Sequence, residues 1–475
     1  MAEEVWMLQT KKADFKQIGA RFRIDPVTAR IIRNRGIEGE AAIDRYLNGT
    51  LDDLYDPMLL KDMERAVSIL CEAVDTGKKI RIVGDYDIDG VCSTYILLQA
   101  FERLGSDVDF EIPDRIKDGY GINESIIEQA HADGVEVILT CDNGISAFHQ
   151  VELAKKYGMT VVITDHHEVP LDGEKEKIPP ADAVIDPKQA DCPYPFPEIC
   201  GAVVAYKLVQ VLYARRGVPQ MEWLDLLEFA AIATVGDVMK LQDENRILVK
   251  YGLKKMAQTK NLGLRRLAEK NNLDLGAITA YHIGFVIGPC LNAGGRLKTA
   301  KEALALLRAQ SEEEAERLAE ELKELNDTRK DMTEQGTEAA KLQVESWYQK
   351  DKVLVVFLPE CHESLAGIIA GRLREYYQKP AIVLTRGEEA VKGSGRSIDE
   401  YHMFKKLTEV SDLLLKFGGH PLAAGLSLEE KNIDEFRRRL NENAGLTEED
   451  FKAKVWIDVP MPVGYVTERL VRELS

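Results

Sequence analysis

The chain has 475 residues, 45% hydrophobic and 30% charged, with 35 glycines, 17 prolines and a formal net charge of −18. That is enough apolar material for two or three domains with their own cores, which excludes disorder, collagen and coiled coil as descriptions of the whole. No apolar run approaches the roughly 18–20 residues of a membrane span, and the start Met1-Ala2-Glu3-Glu4 is acidic where a secretory leader is basic and then apolar. A cytoplasmic protein with no membrane association is the expectation. The seven cysteines (Cys71, Cys92, Cys141, Cys192, Cys200, Cys290, Cys361) are scattered and form no C-x-x-C pair, so they read as free thiols. The negative charge argues mildly against broad adhesion to DNA and leaves a locally basic groove open.

Residues 14–76 read as mostly helical, with Leu59, Met63, Ala66, Ile69, Leu70 and Ala73 at helical spacing. From Lys79 the period changes. Short β-type runs at 80–83, 108–112, 135–140, 160–164 and 183–185 alternate with amphipathic helices at 91–104, 124–132 and 146–157. This alternation predicts an α/β fold, a parallel sheet with helices on both faces and ligands at the carboxyl ends of its strands. Residues 168–200 are proline-rich and irregular, helices resume from 202 to about 273, and 299–345 reads as one long helical connector. A second, smaller α/β unit follows. Its strands are expected at 353–358, 381–384 and 390–393, and its helices at 365–377 and 403–415, before a glycine-rich turn.

The sharpest local feature is Gly84-Asp85-Tyr86-Asp87-Ile88-Asp89-Gly90, directly after the 80–83 strand. Three carboxylates in five residues repel one another, and a tight loop holds them poorly without a cation. A solvated acidic turn is the competing reading. A calcium loop of EF-hand type fails, because a helix follows at Val91 and no glutamate occupies the twelfth loop position. Other strand ends add to this: 137–140 runs into Cys141-Asp142-Asn143-Gly144, 161–164 into Asp165-His166-His167, and 229–235, read with them, into Gly236-Asp237. Singly, Asp142 or Asp237 reads as a helix N-cap, and His166 with His167 as surface histidines. Together, four carboxylate-bearing loops and imidazole at one rim are frustrated without metal. Oxygen-rich ligation with one or two imidazoles favours manganese or magnesium over zinc, and two such ions suit hydrolysis of a phosphate ester.

Further motifs follow: Pro113-Asp114-Arg115 with Gly119-Tyr120-Gly121; Pro289 with Leu291-Asn292-Ala293 and Gly295-Arg296; His362 with Gly367-Ile368-Ile369-Ala370-Gly371-Arg372; Gly393-Ser394-Gly395-Arg396-Ser397; and Gly418-Gly419-His420 with Ala423-Ala424-Gly425. With the acidic loops, and in this order, they resemble the signature of the DHH phosphoesterase superfamily and, within it, the RecJ family of single-strand-specific 5′→3′ DNA exonucleases. The last motif resembles the mark of the companion DHHA1 domain. The resemblance implies that Asp85, Asp87, Asp89, Asp142, His166 and Asp237 hold two divalent ions, Mn2+ or Mg2+, with Asp142 bridging and His167 facing the scissile phosphate. It implies that Arg296, Ser394 and Arg396 grip a 5′-terminal phosphate, and that Arg115, Arg372 and His420 line the strand's path. Arginine suits phosphate because its fork donates two bonds and keeps its charge, and Gly418 and Gly419 let a backbone approach a phosphate closely. Arg372 reads equally as a surface arginine on an amphipathic helix, and His420 as a turn cap before Pro421.

The chain departs from the family pattern at Cys290, where arginine is usual, at Cys361, where tryptophan is usual, and at Lys240, where proline is usual. The implied domains are a helical segment (1–70), a DHH catalytic domain (71–298), the connector (299–345), a DHHA1 substrate-binding domain (346–445) and the incomplete start of an OB-fold (446–475). The implied function is metal-dependent exonuclease action on single-stranded DNA, releasing 5′-mononucleotides in recombination and repair beside a helicase and a single-strand-binding protein. Two other readings are a phosphodiesterase for short oligonucleotides or nucleotides, and a non-catalytic replication scaffold. Against the scaffold stands the presence of every expected carboxylate.

Overall fold

Ile80-Arg81-Ile82-Val83 is a four-residue run buried along its length, and it forms an inner strand of a parallel sheet. Arg81 is tolerated there because Asp109 on the neighbouring strand takes its guanidinium in two bonds of 2.7 and 2.8 Å, and Asp133 takes a third at 2.8 Å. The structure is a computed structural model that describes residues 4–474. Met1, Ala2 and Glu3, on which the reading of a missing leader rests, and Ser475 lie outside the described residues. The chain divides into two units, Arg45–Asp327 and a second made of Met1–Asp44 with Thr328–Ser475.

In the first unit the strands lie in the order Val108–Glu111, Ile80–Val83, Val137–Cys141, Thr160–Thr164 and Ala183–Ile185, all parallel. The chain runs outward from 80–83 to 108–111 and then crosses back to 137–141. That reversal opens a crevice at the carboxyl ends of the 80–83 and 137–141 strands. Alternate side chains feed two cores. Ile80, Ile82 and Leu139 pack with helices Met63–Asp75, Ile88–Arg103, Gly201–Arg216 and Leu227–Gly236, while Val83, Ile138 and Ile163 pack with Glu124–Ala132 and Phe148–Lys156.

Two expectations for this unit are corrected. The 229–235 segment is not a strand end but part of the helix Leu227–Gly236. Its residues are apolar almost throughout and buried on all sides, so no period separates helix from strand. The 299–345 run is not one helix: Lys301–Arg308 ends at Ala309, and a new helix, Glu312–Gln343, starts where Ser311 Oγ accepts the Glu314 N–H at 3.2 Å. The chain passes between units within this second helix.

The second unit holds a mixed sheet in the order Leu414–Gly419, Ala423–Leu428, Val391–Arg396, Ala381–Arg386 and Leu354–Phe357, antiparallel except for the last pair. Helix Ala366–Tyr377 covers one face through Ile369, Ala370 and Leu373, and Met403, Phe436 and Leu440 belong to the core on the other. The helix expected at 403–415 stops at Thr408, because Leu414 pairs with Leu428 and opens a strand. At the end of the described chain, Ala453–Ile457 pairs in parallel with Glu4–Leu8, and Glu473 Oε1 accepts the Asp25 N–H at 2.7 Å. Among the described residues, 446–474 forms no barrel.

Among the described residues no helix is long and apolar enough to cross a membrane. All seven cysteines are free thiols. Cys290 is fully buried and its Sγ lies 3.4 Å from Asn326 Nδ2, so the departure at this position faces the core of the first unit.

Candidate active site

The acidic loops fold as they do because helix N-termini and strand ends meet there. Asp87 caps helix Ile88–Arg103, its Oδ1 accepting the N–H groups of Asp89 and Gly90 at 2.9 and 3.1 Å. Asp89 is buried, and its two oxygens accept the N–H groups of Gly201 and Ala202, each at 2.7 Å, at the start of helix Gly201–Arg216. Asp142 follows the 137–141 strand with a left-handed φ of 60°. Gly201 is packed against it: a Cβ there would lie 2.7 Å from Asp142 Cβ and 2.8 Å from its Oδ1. Asp237 is the C-cap of helix Leu227–Gly236, where the helix dipole opposes a carboxylate. An Asp at that end of a helix calls for a positive partner.

Ligand atoms of Asp85, Asp87 and Asp142 lie within 4.8 Å of one another, as do those of Asp89, His166 and Asp237, and of Asp142, His166 and His167. His166 Nε2 is 3.1 Å from Asp142 Oδ1, 3.5 Å from Asp89 Oδ2 and 3.8 Å from Asp237 Oδ2. Buried Asp85 Oδ1 and Asp142 Oδ1 accept no hydrogen bond. Burial first, and then the neighbouring carboxylates, push Asp85 and Asp142 well above the carboxylate range. Asp87 is raised for the same reasons, and Asp237 is pushed up to about 8 by burial and by Asp89. Burial lowers the His166 imidazole, which favours its neutral, ligating form. Unsatisfied carboxylate oxygens, mutual repulsion and a neutral imidazole in one cluster fit a pair of hard divalent cations.

His167 behaves differently. Its Nδ1 is 2.7 Å from Asp165 Oδ1, and despite the opposing effect of burial this bond and the Asp165 charge raise it to about 9. A pKa in that range favours the protonated ring at neutral pH. Asp165 also accepts the N–H groups of Ile145, His166 and His167, at 2.9, 2.7 and 3.2 Å, which together with His167 hold it below its usual range in spite of burial. Sequence reasoning passed over Asp165 as an orienting group, and also Asn143, Tyr120 and Asp186. Asn143 Nδ2 donates to Val83 O and Cys141 O, and its Oδ1 accepts the Ile122 N–H, tying two strand ends to the segment that leads into helix Glu124–Ala132. Tyr120 OH donates to Asp142 O at 2.8 Å and lies 3.1 Å from His167 Nδ1. Asp186 follows a strand end as Asp142 does, and burial and Asp165 raise it to about 7. That shared position was the available signal.

The expected phosphate-binding residues fall into two groups. In the first unit, the Arg115 guanidinium lies 4.5 Å from the Tyr86 ring centroid. Arg296 lies in the last turn of helix Gly288–Leu297, beside Gly295, whose Cβ would meet Tyr86 O at 2.4 Å. In the second unit, Arg396 Nη1 is 3.1 Å from Ser394 Oγ, and a Cβ on Gly367 would meet Arg396 Nη2 and Ser394 Oγ at 2.9 Å each. This places both side chains against the N-terminus of helix Ala366–Tyr377, a favourable place for an anion. Ser394 and Gly418 line a groove of about 390 Å³ with Lys392 and Lys416. Gly419 has a φ of 147°, and its Cβ would strike Ala423 O at 2.3 Å. Arg372 is exposed on its helix, and His420 is exposed, its backbone N–H bonded to Ala423 O.

Residues 79–234 match the DHH family, N-terminal domain, and residues 350–445 match the DHHA1 domain. The chain is 37% identical to the single-stranded-DNA-specific exonuclease RecJ of Bacillus subtilis, covering 99% of this chain and 59% of that protein. To the exonuclease of the same name from Escherichia coli it is 36% identical, covering 88% of this chain and 74% of that one. The crystal structure of RecJ in complex with Mn2+ from Thermus thermophilus superposes with a TM-score of 0.84 at 29% identity, over 99% of this chain and 66% of that one. The chain therefore spans about three-fifths of the length of its Bacillus relative.

Proposed function

As this chain belongs to the RecJ family of single-stranded-DNA-specific exonucleases, we propose that it hydrolyses single-stranded DNA stepwise from the 5′ end and releases 5′-mononucleotides. The observation that carries this is the set of overlapping ligand groups sharing Asp142 and His166 at the carboxyl edge of the parallel sheet. Asp85, Asp87 and Asp142 would hold one divalent cation, and Asp89, His166 and Asp237 the other, with Asp142 common to both. When bound, the ions supply a hydroxide nucleophile at neutral pH and neutralise charge on the phosphate.

The remaining work belongs to side chains. His167 is cationic below about pH 9 and donates to a phosphate oxygen as charge develops. Asp165 keeps the His167 ring oriented and charged, and Tyr120, bonded to Asp142 O, braces the same corner. Ser394 and Arg396 in the second unit bind the terminal 5′-phosphate, with the Gly367 backbone at the helix N-terminus adding a second favourable term, and Arg296 in the first unit binds phosphate. Arg115, Arg372, His420, Gly418 and Gly419 contact the strand backbone. A terminal phosphate fixed at one end sets the register of cleavage, and so the polarity.

An enzyme confined to unpaired strands depends on a process that unpairs them, so we extend the proposal to recombination and repair beside a helicase and a single-strand-binding protein. The seven free thiols support a cytoplasmic setting. Strands blocked at one end test the reading. Digestion that survives a 3′ block and stops at a 5′ block supports it, and the reverse overturns it. Cleavage confined to very short strands would transfer the activity to oligonucleotide scavenging.

A further inference from the structure

The segment ahead of Arg296 carries a feature that packing does not explain. Ala280–His282 and the π-type turn Ile283–Ile287 lead directly into helix Gly288–Leu297. Tyr281 and Phe285 project from this segment, 63% and 68% exposed. Their rings lie 27° from parallel with centroids 4.8 Å apart, and His282 stands edge-on to Tyr281 at 5.8 Å. Two large aromatic side chains left in water forgo the burial that ordinarily justifies such residues. A π-type turn is a costly local choice that recurs at functional sites.

The inner side of the turn is anchored to the metal-binding loops. A Cβ on Gly284 would lie 3.7 Å from Val235 Cγ1, two residues before Asp237. Gly288 and Gly236 both close on Ile88, the residue between Asp87 and Asp89, with would-be Cβ distances of 3.3 and 2.5 Å. The exposed ring pair therefore stands on a segment packed directly against the residues that flank three candidate ligands, and it continues into the helix of Arg296.

We propose that Tyr281 and Phe285 form a stacking platform for an unpaired base of the DNA strand held at the metal centre; this rests on the single-stranded-DNA reading above. The rings are positioning residues. Every base offers a π face, so stacking holds a strand without regard to sequence, as a general exonuclease requires. In a duplex the same faces are buried against neighbouring base pairs. The platform therefore favours unpaired strands as well as fixing them.

The test compares wild type with Tyr281→Ala/Phe285→Ala on single strands in Mn2+. The double variant is expected to raise KM about ten-fold, the scale of one stacked base, with kcat within about two-fold. An abasic residue at the stacked position is expected to raise the wild-type KM by a similar factor and to leave the variant unchanged. Tyr281→Phe/Phe285→Tyr, which keeps both rings, is expected to behave as wild type. An unchanged KM, or equal abasic penalties in both proteins at every position, overturns the platform. If the wild type does not shorten single strands, the underlying reading fails. The platform is then judged by fluorescence alone: quenching of a 2-aminopurine strand that is equal in wild type and variant overturns it, and quenching lost only in the variant supports it.

Discussion

Gly201→Ala places one methyl group against the shared metal ligand. The new Cβ would lie 2.7 Å from Asp142 Cβ, 2.8 Å from its Oδ1 and 2.9 Å from its Cα, all short of the 3.4 Å at which ordinary contact begins. Relief requires a shift of about 0.7 Å, and neither side yields easily. Asp142 is buried and held in a left-handed turn by Thr164 O and Tyr120 OH, while the Gly201 N–H is bonded to Asp89 Oδ2 at 2.7 Å. The displacement therefore falls on Asp142 and Asp89 together. Overpacking of this kind costs about 1–3 kcal/mol of stability, which a protein of this size survives. Misplacing reacting groups by such a distance costs on the order of 100-fold in rate, and disturbing ligand support costs about 10–100-fold in metal affinity. Calorimetric Mn2+ titration, steady-state cleavage and a thermal melt read the three effects, with Gly464→Ala, where a Cβ meets nothing within 4 Å, as the control. Wild-type Mn2+ affinity together with wild-type kcat in Gly201→Ala would show that the Asp142 position tolerates the added methyl group.

Asp165→Asn removes the charge that holds His167 near 9, so the fall of kcat at high pH is expected to move from about pH 9 toward 7, while Mn2+ affinity changes little; an unmoved limb would clear Asp165 of this role. Arg396→Ala is expected to raise KM for 5′-phosphorylated strands by about 10–100-fold, the loss of a charge-assisted bond, and to change KM for 5′-hydroxyl strands far less. Away from the metal cluster, buried Glu228 is pushed up to about 7 by burial from a usual 4.5, with Oε1 accepting from Thr259 Oγ1 at 2.6 Å. The raised value means stability present below pH 4.5 and lost as pH rises through 7, about 3 kcal/mol in all. Glu228→Gln is expected to flatten that loss, which denaturant unfolding at pH 5 and pH 8 would show.

The strands of the first unit were legible because their runs are short, apolar and interrupted by helices of clear period, and Thr160–Thr164 and Ala183–Ile185 fall where the pattern put them. The acidic loops were legible because like charges crowded at strand ends repel one another unless a cation holds them together. Asp237 was named for its sequence context, but the element carrying it was misread, since Leu227–Gly236 has no polar face to set its period. The break at Ala309 had a signal in Ser311-Glu312-Glu313-Glu314, a capping pattern that the surrounding Glu and Lys residues obscured. Leu414–Gly419 was hidden because Leu407, Val410 and Leu414 mimic helical spacing until Leu428 pairs with the last of them. Orienting groups such as Asp165 and Asn143 act through hydrogen bonds to residues distant in sequence, and no local pattern announces those bonds.

The measurement that bears most directly on the account follows a 5′-phosphorylated single strand, labelled at its 3′ end, through digestion in Mn2+ by wild type and Asp142→Ala. Wild type is expected to give a ladder shortening from the 5′ end with mononucleotide product, and the variant neither ladder nor two-ion binding. Undiminished cleavage by Asp142→Ala, or a wild type that binds both ions and leaves the strand intact, would contradict that expectation.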